Sequence, residues 1–255
     1  MITFAGVCLR VTTADPESAR IAAFVTADMP SDGAADEEVT IAFDARPDGS
    51  PGEAAVRLAE EIAFVLCDRA RRGPVLHAAL VGGVLVPGAS GVGKSTLAAA
   101  ALLAGARLGS DELVAIDGAE IAGLPRPLHL KAGSASPLTE AWASIASEAW
   151  PVRGGLFAPA RAFGARVASA PEVARLVVLP RRGATPGAPR VSPVAPQVAL
   201  RALMEVSVNA RNLAGHGFAS LASLVRRVPS VALDYTDVTT AWPTIAELLR
   251  GSRAP

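Results

Sequence analysis

The chain has little from which to build a metal or disulfide framework. Its two cysteines, Cys8 and Cys67, are far apart, and His77, His129 and His216 do not fall at ligand spacing with them or with each other. That excludes a zinc finger or ribbon and a stapled secreted domain, and makes a reduced, cytoplasmic setting the default expectation. Neither charge is in excess, 24 basic residues standing against 24 acidic. The balance gives no pointer to nucleic acid or to an anionic membrane as partner. No apolar run approaches the ~18 residues of a membrane span, and MITFAGVCLRVTTADPE lacks a basic leader followed by a long apolar stretch. Aromatics make up only 4% although 51% of the chain is hydrophobic. The core must therefore come from Ala, Val and Leu, which suits helices packed on a sheet. There is no internal repeat, and nothing in the sequence indicates a homo-oligomer.

Against these absences stands one strong motif. Gly88-Ala89-Ser90-Gly91-Val92-Gly93-Lys94-Ser95-Thr96 fits the phosphate-binding pattern GxxxxGK[ST] without a mismatch. Its context fits as well, because Gly83-Val84-Leu85-Val86 before it reads as a buried strand and Thr96 to Ala106 after it as a helix. In such a setting the glycines let successive N–H groups turn inward around an anion. Lys94 would reach the β and γ phosphates of ATP, Ser95 would ligate Mg²⁺, and the positive helix end would add to the field.

The periodicity divides the chain at Arg71-Arg72-Gly73-Pro74, giving a small α+β region over residues 1–72 and a phosphate-loop domain over 73–255. In the first, residues 2–12 predict a strand, Asp15-Pro16-Glu17 a helix start, Val39 to Phe43 a second strand, Pro47 to Pro51 a turn, and Gly52 to Arg69 an amphipathic helix. In the second, Val75 to Val81 and Val84 to Val86 predict a hairpin through Gly82-Gly83. Strands follow at Leu113 to Asp117, Val173 to Leu179 and Ser230 to Tyr235, with an extended Pro125 to Lys131. Helices are expected over Thr139 to Trp150, Gln197 to Leu213, Phe218 to Arg227 and Thr240 to Arg250. The stretch after Trp150 as far as residue 170 reads as an irregular surface insert and Arg181 to Pro196 as a loop or lid.

Phosphoryl transfer needs, beyond the loop, a carboxylate beside the metal and usually a base for the acceptor's proton. Asp111 and Glu112 follow Lys94 by about one helix and a turn, which is where the chain returns to the loop; Asp117, ending an apolar run, is the competitor. His77 lies on the strand paired with the one that enters the loop, as a partner for an active-site carboxylate. Lys131, Arg181 and Arg182 are candidate phosphate or substrate contacts. Glu205, with Asn209 and Asn212, is a candidate second metal or substrate contact.

The order His77 in LHAALV, hairpin, GASGVGKST, a helix ending LLAGARL, then SDE resembles the catalytic core of HPr kinase/phosphorylase. It is closer to the shorter bacterial HPr kinase-like serine kinases, some of them associated with ribosomal-peptide (lasso peptide) modification. PRPLHLK and LVVLPRR add to the likeness, which covers residues 75 to 250. The resemblance implies an α/β fold with a sheet of the HPr kinase and phosphoenolpyruvate carboxykinase type, and ATP- and Mg²⁺-dependent phosphorylation of a serine on a protein or peptide. Carried across, Lys94 and Ser95 hold phosphate and metal, Asp111 is the general base with His77 beside it, and Glu112 joins Ser95 on the metal. MEVSVNARN lacks the glycine-rich signature of true HPr kinases, so phosphorylase activity is not implied. A small-molecule kinase and a nucleotide-binding regulatory module are the alternative readings.

Overall fold

The computed structural model describes residues 1–45, 49–89, 91–118, 120–168, 171–183 and 187–251. The N-terminal strand expected over residues 2–12 is two strands, β1 (Ile2–Phe4) and β2 (Val7–Thr13), paired antiparallel. They break at Ala5-Gly6, where φ is +50° and +84°. Two successive positive φ values make a tight hairpin turn, and Gly6 adopts its share without steric cost. Helix α1 (Pro16–Thr26) starts as expected: Asp15 caps it by accepting from Ser18 N at 2.9 Å, and Pro16 fills the first position. Strand β3 (Glu37–Phe43) pairs parallel with β2. Residues 47 and 48 of the predicted turn lie outside the described residues. Ser50 then caps α2 (Pro51–Arg69), which buries Ala55, Leu58, Ala59, Ile62 and Leu66 along one stripe.

The second region opens with the hairpin of β4 (Val75–Val81) and β5 (Val84–Pro87), followed by α3 (Lys94–Leu103), β6 (Leu108–Ser110), β7 (Leu113–Asp117), β8 (Glu120–Gly123) and β9 (Leu128–Lys131). After α4 (Thr139–Glu148) come β10 (Trp150–Val152), β11 (Gly155–Ala158), β12 (Glu172–Val173), β13 (Leu176–Arg182) and β14 (Arg190–Pro193). Helices α5 (Pro196–Glu205) and α6 (Phe218–Arg227), strand β15 (Ser230–Tyr235) and helix α7 (Val238–Gly251) complete the described chain. Nine of these strands form a mixed sheet in the order β12-β8-β7-β4-β5-β13-β15-β14, with β6 also on β4. Only β5, β13 and β15 run parallel to one another; the other pairings are antiparallel.

The architecture is thus mixed α/β, with helices on both faces. Alternation along β4 sends Leu76, Ala78 and Leu80 to the face covered by α5 and α6, and Ala79 and Val81 to the face covered by α3 and α7. A third cluster joins β1–β3, α1 and α2 to Val75, Leu113, Ala115, Leu124 and Phe157, so the N-terminal region shares a core with β7 and β11. Among the described residues, no helix is long and apolar enough to cross a membrane.

Three further predicted elements differ. The surface insert after Trp150 contains the β10–β11 hairpin, which pairs with β9 and buries Phe157 and Ala158. The loop at Arg181 to Pro196 is partly strand: β13 runs through Arg182, and β14 pairs antiparallel with β15. The helix expected over Gln197 to Leu213 stops at Glu205, because Asn209 is drawn out of it into a buried polar contact. Asn209 Oδ1 accepts from Val75 N at 2.8 Å, and its Nδ2 donates to Ala70 O at 3.2 Å and Gly73 O at 3.0 Å. This side chain, 2% exposed, supplies backbone partners exactly where α2 gives way to β4, the kind of buried donor and acceptor set that is costly to leave unmade. Asn209→Ala is expected to destabilise the protein by about 2–4 kcal/mol. Urea unfolding should show a lower midpoint with an unchanged slope; an unchanged midpoint would mean the three bonds are replaced by water.

Candidate functional site

The three parallel strands end side by side. Strand β5 runs into the glycine loop, and in the β13–β15 register Arg182 lies opposite Tyr235. The carboxyl ends of parallel strands are where open α/β sheets collect ligands. Here they open onto a cleft of about 640 Å³, lined among others by His77, Lys94, Glu112, Lys131, Arg182 and Asp237.

On the loop, Gly91 and Gly93 hold φ of +90° and +95°. A Cβ on Gly93 would lie 2.9 Å from the hydroxyl of Tyr235, and that hydroxyl donates to Val92 O at 3.3 Å. The only tyrosine of the chain therefore packs under the loop where glycine is required. Ser90 lies outside the described residues. Lys94 is 6% exposed and turns its ammonium back across the loop, donating to Gly88 O at 2.8 Å and Ala89 O at 3.0 Å. Burial pulls its pKa below the ordinary value, against the opposing pull of Glu112 and Asp111. Thr96 Oγ1 and Ser134 Oγ are 2.8 Å apart, tying the first turn of α3 to the segment after β9.

The acidic return is shaped by Ser110. Its Oγ accepts from Glu112 N at 3.0 Å and Leu113 N at 2.9 Å and donates to Leu124 O at 3.0 Å. This local bend separates β6 from β7 and brings both carboxylates toward the loop. Their environments are unequal. Asp111 is 1% exposed; its Oδ2 accepts from Ser95 Oγ at 3.0 Å, while its Oδ1 has no hydrogen-bond partner and lies 3.7 Å from Arg126 Nε. Glu112 faces the cleft, with Oε1 3.3 Å from His77 Nε2 and Oε2 accepting from Arg126 Nη2 at 3.0 Å. Burial raises the pKa of Asp111, Arg126 opposing and the neighbouring Glu112 reinforcing the shift. Burial also pushes Glu112 up, but the hydrogen bond with His77 and the charges of Arg126, His77 and Lys94 outweigh it and bring the group down to about 2.

The sequence-predicted residues thus divide. Lys94, Ser95, Thr96, His77, Asp111, Glu112, Lys131 and Arg182 come together at the loop end of the sheet. Arg181, next along β13, does not line the cleft. Glu205 is paired with Arg201 at 2.9 Å on the exposed side of α5. Asn212 donates to Cys67 O and Asp68 O, so it and Asn209 secure the end of α2. Asp117 is exposed at the far end of β7, beside the turn to β8. Three residues at or beside the cleft escape sequence reasoning. Arg126 sits inside the double-proline stretch, where a lone arginine reads as surface, yet it is 7% exposed and spans both carboxylates. His129, two residues from Lys131, and Asp237, just after β15, carry no local signal beyond their place at strand ends.

No protein-family model matches the chain, and no curated protein matches it. Among the described residues, no group of three or more His, Cys, Asp or Glu could hold a metal ion. A cation here would need hydroxyl and ligand oxygens beside a carboxylate, which is how Mg²⁺ is commonly held with phosphates. The loop, the Ser95–Asp111 pair and the orphaned Oδ1 of Asp111 fit that donor set.

The low pKa of Glu112 has a consequence for stability. A carboxyl whose folded value lies near 2 instead of 4.5 stabilises the fold above its unfolded value, and that contribution fades as pH falls toward 2. Melting temperatures of wild type and Glu112→Gln should therefore differ most near neutrality and converge between about pH 5 and about pH 2.5. A constant difference across that range would show that packing and not charge sets it.

Proposed function

We propose that the cleft binds Mg-ATP and transfers the terminal phosphoryl group to a serine hydroxyl on a protein or peptide, on a sheet of the HPr kinase type. The observation that carries this reading is the adjacency of two carboxylates with different partners at a GxxxxGK[ST] loop. Asp111 is bonded to the loop hydroxyl of Ser95, and Glu112 is paired with His77 and turned toward the cleft. The reading also assigns the protein to the cytoplasm, where ATP is available.

Mg-ATP supplies an electrophilic phosphorus and a cation that neutralises the charge of the departing diphosphate. Lys94, held by two carbonyl oxygens, exchanges them for phosphate oxygens, and the free N–H groups at the start of α3 face the same anion. Ser95 would hold the cation from the cleft wall, with Asp111 behind it accepting from its hydroxyl. Arg182 on β13 and Lys131 on β9 line the cleft and add positive charge. Glu112 accepts the hydrogen bond of the acceptor hydroxyl and orients its oxygen, and the proton ends on a Glu112 carboxylate oxygen. A carboxylate held near 2 is a weak base, which suffices where the transition state is loose and the hydroxyl proton leaves late. His77 and Arg126 fix the carboxylate plane. In this reading the base role expected for Asp111 passes to Glu112, and the metal role expected for Glu112 passes to Asp111. The reason is physical: Asp111 sits behind Ser95 and does not line the cleft, whereas Glu112 does.

With labelled ATP, Mg²⁺ and a serine-containing acceptor, the wild type should form an acid-stable phosphoserine. Lys94→Met should lose saturable Mg-ATP binding in calorimetry. Glu112→Gln should keep that binding and lose transfer by about 10²–10⁴-fold. Transfer by Glu112→Gln at the wild-type rate would return the base role to Asp111, and a wild type that binds no Mg-ATP would remove the reading altogether.

A further inference from the structure

The order of the strands fixes which way a nucleotide lies in the cleft. Asp111 and Glu112 stand in the bend between β6 and β7, both of which pair with β4, and β4 pairs in turn with β5, which carries the loop. Strands β13 and β15 follow on the other side of β5. The loop is therefore flanked by the carboxylates on one side and by the ends of β13 and β15 on the other. Strand β9 belongs to the carboxylate flank, since the stretch before it sends Arg126 to both carboxylates and Leu124 N to Leu113 O at 2.9 Å. In the proposed reaction the terminal phosphoryl group lies beside Glu112. With that end fixed, the rest of the nucleotide extends across the loop toward β13 and β15.

That flank forms a wall in contact with the loop. Val177 pairs with Leu85 at the level of β5, and β13 and β15 run on together as far as the Arg182–Tyr235 pair. The Tyr235 hydroxyl donates to Val92 O at 3.3 Å. Arg182 and, just past the end of β15, Asp237 both line the cleft. Two strand spacings put the end of β15 roughly 10 Å to the side of β5, which an α-phosphate and a ribose together can span.

Asp237 is exposed, yet its carboxylate is held in place before any ligand enters. Oδ1 accepts from Thr239 N at 2.9 Å and Oδ2 from Thr239 Oγ1 at 2.7 Å. It takes part in no ion pair among the described residues. A carboxylate has about four acceptor sites, so each oxygen keeps one for a further donor. A negative group here repels phosphate and suits only the part of a nucleotide that donates hydrogen bonds. Two neighbouring hydroxyls between phosphate and base are what a ribose presents.

We propose that Asp237 accepts the 2′- and 3′-hydroxyls of the nucleotide's ribose, with Arg182 at the α-phosphate between it and the loop, so that the site selects its nucleotide through the sugar. The inference rests on the reading of the cleft as a Mg-ATP site. It adds a direction to the bound nucleotide and assigns a specificity role to a residue that the phosphoryl transfer itself does not use.

Calorimetry on the full chain with Mg-ATP, Mg-2′,3′-dideoxy-ATP and Mg-tripolyphosphate is the test. Wild type should bind Mg-ATP about tenfold to thirtyfold more tightly than the dideoxy analogue, the loss expected when hydrogen bonds to a charged acceptor are removed. Asp237→Ser keeps a side chain able to cap α7 but is shorter and uncharged. It should weaken Mg-ATP binding by about tenfold and bring the affinities for Mg-ATP and the dideoxy analogue together, while its affinity for Mg-tripolyphosphate stays close to the wild-type value. Asp237→Asn, which retains one acceptor oxygen and the capping geometry, should fall between the two. Equal binding of Mg-ATP and the dideoxy analogue by the wild type would overturn the inference without recourse to any variant. So would an Asp237→Ser protein that preserves the wild-type preference, or one that loses all three ligands alike, since the residue would then only shape the loop. A wild type that binds neither Mg-ATP nor Mg-tripolyphosphate would overturn the cleft reading and this inference with it.

Discussion

A carboxylate buried to 1% exposure at the junction of four chain segments is the constraint on which the cleft depends. Asp111 leaves the bend after β6, meets Ser95 at the start of α3, and faces Arg126 from the stretch before β9. Arg126 reaches on to Glu112, and Glu112 to His77 on β4. A buried charge of this kind is tolerated only with partners, and removing one partner is costly because the other charge stays behind. The network therefore specifies a geometry more than it adds stability. Its orphaned atoms, Asp111 Oδ1 and Arg126 Nε, show that the protein's own groups do not fully satisfy it. Glu172 Oε2, Ser207 Oγ and Ser230 Oγ are likewise buried without a partner, but only at Asp111 and Arg126 do two such charged groups face each other, at 3.7 Å.

The sheet explains why these residues meet. A hairpin alone could present His77 near the loop but could not bring in Arg182 or Tyr235. The parallel set β5, β13 and β15 does, because parallel strands end on the same side, and β15 hands the chain directly to α7, which packs beside α3. The antiparallel half, β4 with β6, β7 and β8, supplies the carboxylates through the Ser110 bend. Two strand polarities thus serve two ends of one cleft.

Much of this was legible in the sequence where the signal is local. The glycine loop, the Gly82-Gly83 hairpin, the Asp15 and Ser50 caps and the closing strand and helix all depend on residues within a turn or two of each other. What was not legible depends on distant partners. Asn209 reads as a helix-surface residue until α2 and β4 are placed beside it. Arg126 reads as surface until both carboxylates are folded against it. The β10–β11 hairpin looks irregular because its pairing with β9 crosses a helix of intervening sequence. The Asp111-Glu112 doublet is intermediate: the sequence locates it, but the hydrogen bond of Ser110 decides which carboxylate is buried.

The overall charge of the chain is zero, and the cleft shows why that number says little about a ligand. At its floor Lys94 and Arg126 face Asp111 and Glu112, two positive groups against two negative ones, so the buried part is balanced by itself. Around the rim Lys131 and Arg182 face one carboxylate, Asp237, which is occupied in capping Thr239 at the start of α7. The positive surplus is thus at the mouth, where it can steer an anion inward, and not at the floor, where an unpaired cation would be costly to bury. An anionic ligand that entered would tip the floor to net negative unless a cation came with it. In the function proposed above, that cation would meet the hydroxyl of Ser95, which lines the cleft and is bonded from behind by Asp111.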